Sequence, residues 1–534
     1  MVISEQHVTS MYTKKEHMKR RDFIKRTGLS AMGLPFVIKD VSYQTIMKPL
    51  FTIDESAEDR ILIIIRMNGG NDGLNTVIPL DGYDNLVKQR SNLILPKNDI
   101  LDLNTSNIGL HSTMTGMRNM FNDGNLSIIQ NVGYESQNRS HFKSTDIWSR
   151  GLIGNNGTSG WLGRFLDQEF PNFPNDYPNE EHTDPFAISV GSQVSSTCQG
   201  LLSNFSMAVS DPTDVNQLST SLSVFENSTY GDRLKFISLI INQSNSYSVQ
   251  IENAIQSGNT LSTLYDNENK LAKQMRGIAQ LISGGLQTKV YVLNVNGFDT
   301  HSAQVDSNNS NIGKHQELLK TISDAVEAFQ DDLNLLGIED RVLGMTFSEF
   351  GRQIASNASL GSDHGEAAPM FLFGSCLKNR VIGKNPEISN AIVPQKAVDF
   401  EYDFRDIYAS ILKDWFLVPV SQIQSLFEHQ VIFQPLISCG GDNPVVDDKT
   451  EGIIVYPNPT VSTATLAFSS LKENVELALF DLTGQRLRTL FNKELPDEKH
   501  FVPIDVSALA EGVYILHVKK ASGDLSIRLL KLKK

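Results

Sequence analysis

Short apolar runs that end in glycine and polar residues recur along most of the chain. The run at 61–67 (ILIIIRM) breaks into Gly-Gly-Asn-Asp-Gly, which is typical of a strand buried on both faces. The same pattern predicts strands at 126–132, 288–295, 342–347 and 370–373. A long amphipathic helix is predicted at 315–336. Strands alternating with helices predict an α/β domain at 55–438, with a mostly parallel sheet flanked by helices.

Three other stretches differ from this pattern. Residues 200–285 are polar and helical in pattern, and they predict a helical insertion in the α/β domain. Residues 439–452 (CGGDNPVVDDKTEG) have no periodicity and predict a linker. Short alternating runs separated by turn residues follow at 453–534, which predicts an immunoglobulin-like β-sandwich.

The first forty residues are typical of a targeting segment. Lys19, Arg20 and Arg21 precede a mild apolar run at 27–38, which is the order of a signal peptide. The string RRDFIK matches the twin-arginine pattern, so 1–40 is interpreted as a twin-arginine signal and the twin-arginine translocase as a partner. The seventeen residues before Met18 do not look like a signal, which leaves Met1 or Met18 as the start. No apolar run is long enough to predict a stable transmembrane span.

Composition narrows the class of partner. The net charge is −14, so no basic surface is expected for nucleic acid or for anionic lipid. The three cysteines, Cys198, Cys376 and Cys439, lie far apart and have no metal-ligand spacing. An export compartment permits one disulfide, but the sequence does not require it.

Several strings near the C-terminus carry a specific resemblance: YPNPT at 456–460, LFDLTGQ at 479–485, IDVSAL at 504–509 and GVY at 512–514. With the lysine-rich end they resemble the type A sorting domain of the type IX secretion system. This resemblance implies the type IX machinery as a partner. It also implies passage through the periplasm to the medium or the outer cell surface.

Carboxylates and imidazoles follow the predicted strands of the large domain: Asp72, Asp299, His301, Glu349, Asp363 and His364. In a parallel sheet the carboxyl ends of the strands meet at one edge, so these residues are expected to converge there. Oxygen and imidazole ligands without thiolate suit a divalent ion such as zinc, manganese, magnesium or calcium. The sequence therefore predicts a divalent-metal site.

Longer motifs extend this interpretation: GGNDGLNTVIPL, GLHSTM, RSHF, GWLGRFLD, GFDTH, FSEFGR and SDHGEAAPMFLFG. They resemble domain-of-unknown-function family 1501 over residues 60–435, and that family is similar to the alkaline phosphatase and sulfatase superfamily. The resemblance implies that Asp72 is a metal ligand and that Ser140, at a helix start, is the nucleophile. Arg139 or Arg352 would then bind the anion.

The superfamily pattern fits the later motifs in two ways. In one alignment Asp363 and His364 are its Asp-His pair. In the preferred one Glu349 and Phe350 stand at that place, and His364 is the final metal histidine. Glu349 follows a predicted strand directly, which favours the second alignment, although Phe350 then replaces an imidazole. Asp299 and His301 are also spaced closely for the superfamily, and His315 is an alternative partner.

These inferences predict an exported, metal-dependent hydrolase of phosphate or sulfate esters, with a small-molecule or glycan ester as substrate. The alternative is a non-catalytic surface or carbohydrate-binding protein that keeps the fold. The carboxylates and imidazoles favour the enzyme, and Phe350 favours the alternative.

Overall fold

The computed structural model describes residues 59–154, 157–212, 226–439, 454–456, 460–481, 485–496, 498–521 and 524–532. The predicted signal at 1–40 lies outside the described residues, as does nearly all of the predicted linker.

A nine-stranded sheet forms the centre of the large domain. The strands of this domain are β1 (Ile61–Asn68), β2 (Val77–Pro79), β3 (Leu101–Asp102), β4 (Ile108–Leu110), β5 (Leu126–Gly133), β6 (Ala187–Val190), β7 (Ser206–Val209), β8 (Val290–Asn296), β9 (Val342–Phe347), β10 (Arg352–Ser356), β11 (Ser362–His364), β12 (Ala368–Phe373), β13 (Val381–Ile382) and β14 (Tyr402–Asp403). The order in the central sheet is β13-β5-β12-β9-β1-β8-β6-β7, with β14 also paired to β5. Strands β10 and β11 form a separate two-stranded sheet, and β2, β4 and β3 form a separate three-stranded sheet.

The central sheet is mostly parallel, as predicted. Strand β1 pairs in parallel with β8 on one side and with β9 on the other. Only β12 runs against its neighbours β5 and β9. The carboxyl ends of β1, β8, β9 and β5 therefore lie at the same edge.

Helices cover both faces of this sheet. They are α1 (Gly73–Thr76), α2 (Tyr83–Arg90), α3 (Thr115–Asp123), α4 (His141–Arg150), α5 (Trp161–Glu169), α6 (Thr229–Ser257), α7 (Lys270–Ser283), α8 (Lys314–Leu336), α9 (Phe404–Asp414) and α10 (Val420–Leu426). Ile63 and Ile65 of β1 belong to the core formed with α3, α6, α7 and α8. Leu62 and Ile64 belong to the core formed with α4, α5 and α9. This alternation explains the continuous apolar run of β1, because both faces are buried.

The range predicted as a helical insertion, 200–285, holds two helices and also a strand of the sheet. The strand is β7, which joins the central sheet, and the helices are α6 and α7. Ile251 of α6 and Ile278 of α7 are fully buried in the same core as β1. The two helices are therefore part of the layer that covers the sheet, and the polar residues Gln243, Ser244 and Ser248 of α6 are buried along with its apolar ones.

A disulfide that the sequence did not require joins Cys376 to Cys439. Their sequence positions are 63 apart, but the backbone brings the two segments together. Lys378 donates its N–H to the carbonyl of Leu436, and Ser438 donates to the carbonyl of Cys376. The bond ties the last described residue of the large domain to the loop after β12.

The C-terminal region consists of two small antiparallel sheets, which agrees with the predicted sandwich. Its strands are β15 (Ile454–Tyr456), β16 (Thr463–Ser470), β17 (Glu473–Asp481), β18 (Arg486–Leu495), β19 (Glu498–Asp505), β20 (Gly512–Lys520) and β21 (Leu525–Lys531). The sheet orders are β15-β16-β19 and β18-β17-β20-β21. Leu466, Leu477, Ile504 and Leu516 are fully buried in one apolar core to which both sheets contribute.

Candidate metal centre

Loops at the carboxyl ends of β1, β8 and β9 meet closely. Gly69 follows β1 with a φ of +126°, and a Cβ atom on it would lie 2.3 Å from the backbone nitrogen of Asp299. Glycine therefore allows the β1 and β8 loops to touch. The N–H of Gly69 also donates to Oε1 of Glu349 at 2.9 Å, which fixes the β9 loop against the β1 loop.

The side chain of Arg352 joins these loops through hydrogen bonds. Its side chain is buried, and its guanidinium donates to the carbonyls of Gly69, Gly70, Phe298 and Ser362. The same group donates to Oδ1 of Asp299 at 2.9 Å. All three guanidinium nitrogens are thus engaged by the protein, which favours a positioning role, and the role of Arg352 as an anion contact stays a prediction.

Three histidines surround Asp299, and each has its Nδ1 held by an oxygen. Nδ1 of His301 lies 2.8 Å from Oδ1 of Asp363. Nδ1 of His364 lies 2.9 Å from the carbonyl oxygen of Arg139. Nδ1 of His141 lies 2.9 Å from Oε1 of Glu349. A carbonyl and a carboxylate only accept hydrogen bonds, so these contacts favour the tautomer with the proton on Nδ1, which leaves Nε2 available to a metal ion.

The three Nε2 atoms converge on the Asp299 carboxylate. Nε2 of His301 and Nε2 of His364 each lie 3.2 Å from Oδ1, and Nε2 of His141 lies 3.5 Å from Oδ2. One ligand atom each from His141, Asp299 and His364 lies within 4.8 Å of the others. Nε2 of His301 is 2.8 Å from Nε2 of His364. The structure therefore brings Asp299, His301 and His364 together as predicted, and it adds His141.

The electrostatic surroundings favour a charged aspartate and a neutral imidazole. Partial burial opposes ionisation of Asp299, but the hydrogen bond and the charge of Arg352 hold its pKa below the ordinary value. Partial burial lowers the pKa of His364, although its contact with Asp299 works in the opposite direction. A neutral imidazole beside a carboxylate is the protonation state that binds a metal.

Glu349 and Asp363, both predicted as metal ligands, contact the Nδ1 atoms of His141 and His301. Burial opposes ionisation of Asp363, but hydrogen bonds from His301 and Asn357 lower its pKa. Glu349 is fully buried, and its Oε1 accepts from Gly69 and His141. Carboxylates that hold the Nδ1 of ligating histidines fix the ring orientation and raise the basicity of the ligand. The structure thus places both residues as supports for imidazoles, and direct ligation by them stays a prediction.

Asp72 lies away from this convergence of nitrogens. It is fully buried, and both its oxygens are 2.8 Å from Nη1 of Arg90. Gln304 donates to its Oδ2 at 2.6 Å. Burial raises the pKa of Asp72, but the charge and hydrogen bonds of Arg90 outweigh it and the net shift is downward. The carboxylate is therefore already neutralised by an arginine, and its role as a metal ligand stays a prediction.

His141 is the site residue that sequence reasoning missed. It lies in the RSHF string and opens α4, where its ring packs against Phe350 at 4.9 Å between centroids. Phe350 also packs against His364 at 4.6 Å. Phe350 thus packs against two imidazoles of the site, one of which is the added His141. His315, the alternative partner, is buried on α8 and pairs with Asn71 at 3.0 Å.

Ser140 and Arg139 immediately precede His141. Ser140 is the N-cap residue of α4, but its exposed side chain makes no capping hydrogen bond. Its N–H donates to Oδ1 of Asn138. Arg139 is partly exposed and pairs through Nη2 with Glu366 at 2.8 Å. Both residues thus precede His141 directly in the chain, and their catalytic roles stay predictions.

The donor set fits a divalent ion. Nε2 of His141 is buried and has no hydrogen-bond partner among the described residues. The close Nε2 atoms of His301 and His364 repel each other unless a proton or a metal ion shares their lone pairs. Three imidazole nitrogens with one carboxylate form a coherent set for a borderline ion such as zinc or manganese. Calcium and magnesium prefer oxygen-rich sites, so the set disfavours them.

Two protein-family models match this chain, one within the large domain and one over the C-terminal region. A family model described as protein of unknown function (DUF1501) matches residues 149–421. The chain belongs to this family. A second model, described as secretion system C-terminal sorting domain, matches residues 454–531, so this DUF1501 protein carries a C-terminal secretion sorting domain. A comparison with curated proteins found no match.

Solved structures with some likeness to this DUF1501 protein come from the alkaline phosphatase superfamily and from related hydrolases. A superfamily protein from Vibrio parahaemolyticus is 8% identical, with 83% of this chain and 79% of that chain covered and a TM-score of 0.30. Alkaline phosphatase from the Antarctic bacterium TAB5 is 9% identical, with 59% and 91% covered and a TM-score of 0.24. A phosphonate monoester hydrolase from Silicibacter pomeroyi is 9% identical, with 88% of each chain covered and a TM-score of 0.28.

No helix within the described part of the chain combines the length and apolar character that a bilayer span needs.

Proposed function

We propose that this protein is an exported, metal-dependent hydrolase of phosphate or sulfate esters. The observation that carries the proposal is the convergence of three imidazole Nε2 atoms on Asp299, each ring having its Nδ1 held by an oxygen. Such second contacts are the usual support of metal-binding histidines. A bound divalent ion supplies Lewis acidity, which stabilises the charge that develops on a phosphoryl or sulfuryl oxygen.

Ser140 is the proposed nucleophile. Its hydroxyl is exposed and makes no capping hydrogen bond, and it directly precedes His141 at the N-terminus of α4. The positive end of the helix dipole favours an oxyanion there. The Ser140 oxygen would bond to phosphorus or sulfur while the ester oxygen leaves, and the hydroxyl proton would end on the departing alcohol. Water would then hydrolyse the seryl ester and restore the hydroxyl.

Arg139 is the proposed contact for the substrate anion. Its pair with Glu366 leaves about a third of each side chain exposed, at 31% and 34%. An exposed ion pair of this kind is worth about 0–1 kcal/mol, so a bound phosphate or sulfate can displace Glu366. Arg352 instead donates a hydrogen bond to Asp299 and orients its carboxylate.

The proposed route of export has two steps. The twin-arginine translocase would take the folded chain to the periplasm through the Arg20-Arg21 signal. The type IX secretion machinery would then act on the C-terminal sorting domain and deliver the protein to the medium or the outer surface. A change of Arg20 and Arg21 to lysine should leave precursor in the cytoplasm, and normal export of this variant would contradict the first step.

A second candidate function is a non-catalytic surface protein that binds carbohydrate. The engagement of both predicted anion contacts favours it, since Arg352 is held by backbone carbonyls and Arg139 by Glu366. In this alternative the metal ion would stabilise the loops without any reaction.

One experiment separates the two functions. The purified full-length chain is analysed for bound metal and then assayed with aryl phosphate and aryl sulfate esters, before and after chelation. Turnover that chelation removes and zinc or manganese restores supports the hydrolase, and S140A should then be inactive while still binding metal. Stoichiometric metal with no turnover of either ester supports the binding protein.

A further inference from the structure

The side chain of Asn357 connects the β10–β11 hairpin to the metal centre. Its Nδ2 donates to the carbonyl oxygen of His301 at 2.9 Å and to Oδ1 of Asp363 at 3.1 Å. Its Oδ1 accepts from the N–H groups of Ser359 at 2.9 Å and Gly361 at 3.1 Å. The amide therefore closes the turn of the hairpin with its oxygen, and with its nitrogen it reaches His301 and the carboxylate that supports this histidine.

Other contacts already hold the main chain around His301. Backbone hydrogen bonds join the hairpin to the loop after β8, with the N–H groups of Ala303, Gln304 and Ser362 donating to the carbonyls of Ser359, Leu360 and Thr300, respectively. A Cβ atom on Gly361 would lie 2.2 Å from the carbonyl oxygen of His301, so glycine lets the two loops touch. The particular contribution of the Asn357 amide is therefore its contact with Asp363.

The carboxylate of Asp363 needs this contact because it is half exposed. Its side chain is 47% exposed, and that of His301, whose Nδ1 lies 2.8 Å from Oδ1 of Asp363, is 43% exposed. An exposed contact between a carboxylate and an imidazole contributes little by itself, because water competes for both groups. The Asn357 amide binds the same Oδ1 atom that faces the ring, so it holds the carboxylate where it supports His301.

We propose that Asn357 is a positioning residue for the metal centre, which acts through Asp363 to set the orientation and the tautomer of His301. With the carboxylate at Nδ1, Nε2 of His301 faces Asp299 and His364. Without the amide, the carboxylate turns to water and the ring loses its acceptor. This inference rests on the metal centre of the proposed function, but it does not depend on the hydrolysis of any ester.

The first test measures the dissociation constant of zinc by competition with a chelator, using the full-length protein. N357A should weaken zinc binding about tenfold, which is the lower end of the usual effect of such supporting residues. N385A is the matched control and should bind zinc as the wild type does, because the Asn385 amide also donates to a carboxylate and a carbonyl, but at Asp81 and Ser106.

A double variant shows whether Asn357 acts through Asp363. D363A removes the acceptor itself, so adding N357A to D363A should change the dissociation constant by less than about twofold. A further tenfold loss in the double variant, or an unchanged dissociation constant in N357A, overturns the inference.

The second test uses NMR of ¹⁵N-labelled imidazoles in the metal-free protein at about pH 8, above the ordinary imidazole pKa. The His301 signals, assigned by their loss in H301Q, should report the Nδ1–H tautomer in the wild type and in N385A. They should shift toward Nε2–H in N357A. N357D keeps an oxygen for Ser359 and Gly361, so the turn survives, but it replaces the N–H donor by an acceptor and should show the same shift.

Retention of the Nδ1–H tautomer in both N357A and N357D overturns the inference, whatever their affinity for zinc. So does a wild type in which His301 carries its proton on Nε2. A wild type that binds no zinc would refute the proposed metal centre separately, and the tautomers then decide the role of Asn357.

Discussion

Nε2 of His301 lies 2.8 Å from Nε2 of His364, although the Nδ1 atom of each ring is already held by an oxygen acceptor. Two unprotonated ring nitrogens at this distance repel each other, so a proton or a metal ion shared between their lone pairs would stabilise the arrangement. The Nδ1 contacts favour the tautomer that leaves both Nε2 atoms available to a metal ion.

Zinc should stabilise the folded chain by mass action. At 100 times its dissociation constant the gain is about 2.7 kcal/mol. H301A should abolish this gain, because it removes one of the facing nitrogens. H429N should keep it, since His429 pairs with Asp406 and makes no contact with the cluster. Thermal unfolding with and without zinc measures both variants, and an equal zinc-induced shift in H301A would contradict a site at His301.

Glu349 should control metal affinity through His141. E349A leaves Nδ1 of His141 without its acceptor, and loss of such a support weakens metal binding roughly 10- to 100-fold. E349Q keeps an acceptor oxygen and should retain more affinity than E349A. E366Q is the matched control, because Glu366 pairs with Arg139 and holds no imidazole. Competition with a zinc chelator gives the dissociation constants, and equal values for E349A and E366Q would argue against the support role.

The buried pair of Asp72 and Arg90 should give the domain an acid-sensitive component of stability. The pKa of Asp72 is lowered in the fold, because the Arg90 charge and its hydrogen bonds outweigh burial. Its contribution is therefore complete above the unfolded pKa of about 3.9 and is lost as the pH falls through the lower folded pKa. D72N should cost about 3–5 kcal/mol at pH 7, since it leaves Arg90 buried and unpaired. The exposed D99N is the control.

Urea unfolding between pH 3 and pH 7 measures this effect. The wild type should lose stability toward pH 3 more steeply than D72N, because the variant has no carboxylate to protonate at this place. Parallel pH profiles for the two proteins would show that the pair does not contribute in this way.

Arg352 should be irreplaceable by lysine. R352K keeps the charge, but a single ammonium cannot reach the carbonyls of Gly69, Phe298 and Ser362 together with Asp299. Several buried carbonyls then lose their donor, at about 1–3 kcal/mol for each unsatisfied group. The variant should unfold at lower denaturant concentration and bind zinc more weakly. Wild-type stability with unchanged zinc affinity would contradict the positioning role.

Much of the fold could be predicted because its signals are local. The apolar runs of β1, β5 and β9 and the amphipathic pattern of α8 agree with the structure to within a residue or two. Strands β6 and β7 were missed, because each has only four residues inside polar sequence. The helices between β7 and β8 looked separate because polar residues dominate their composition.

The site could be predicted only in part, because its remaining features depend on pairings between distant segments. Asp299 and His301 follow β8, and His364 precedes the antiparallel strand β12, so all three lie near the same edge of the central sheet. Nothing local shows that Asp72 meets Arg90 or that the first turn of α4 directs His141 to Asp299. Glu349 was correctly placed at the edge, but its contact with His141 depends on that same turn.

The Cys376–Cys439 disulfide determines which part of the large domain would carry a force that pulls on the C-terminal end of the chain. A pull on the sorting domain during secretion reaches the large domain at Cys439. At Cys439 the force passes through the disulfide to Cys376, in the loop after β12. Strand β12 pairs with β5 and β9 in the central sheet. The terminal segment cannot peel away strand by strand. A pulling force at the C-terminal end would therefore be carried into the central sheet without first unfolding the segment between Cys376 and Cys439.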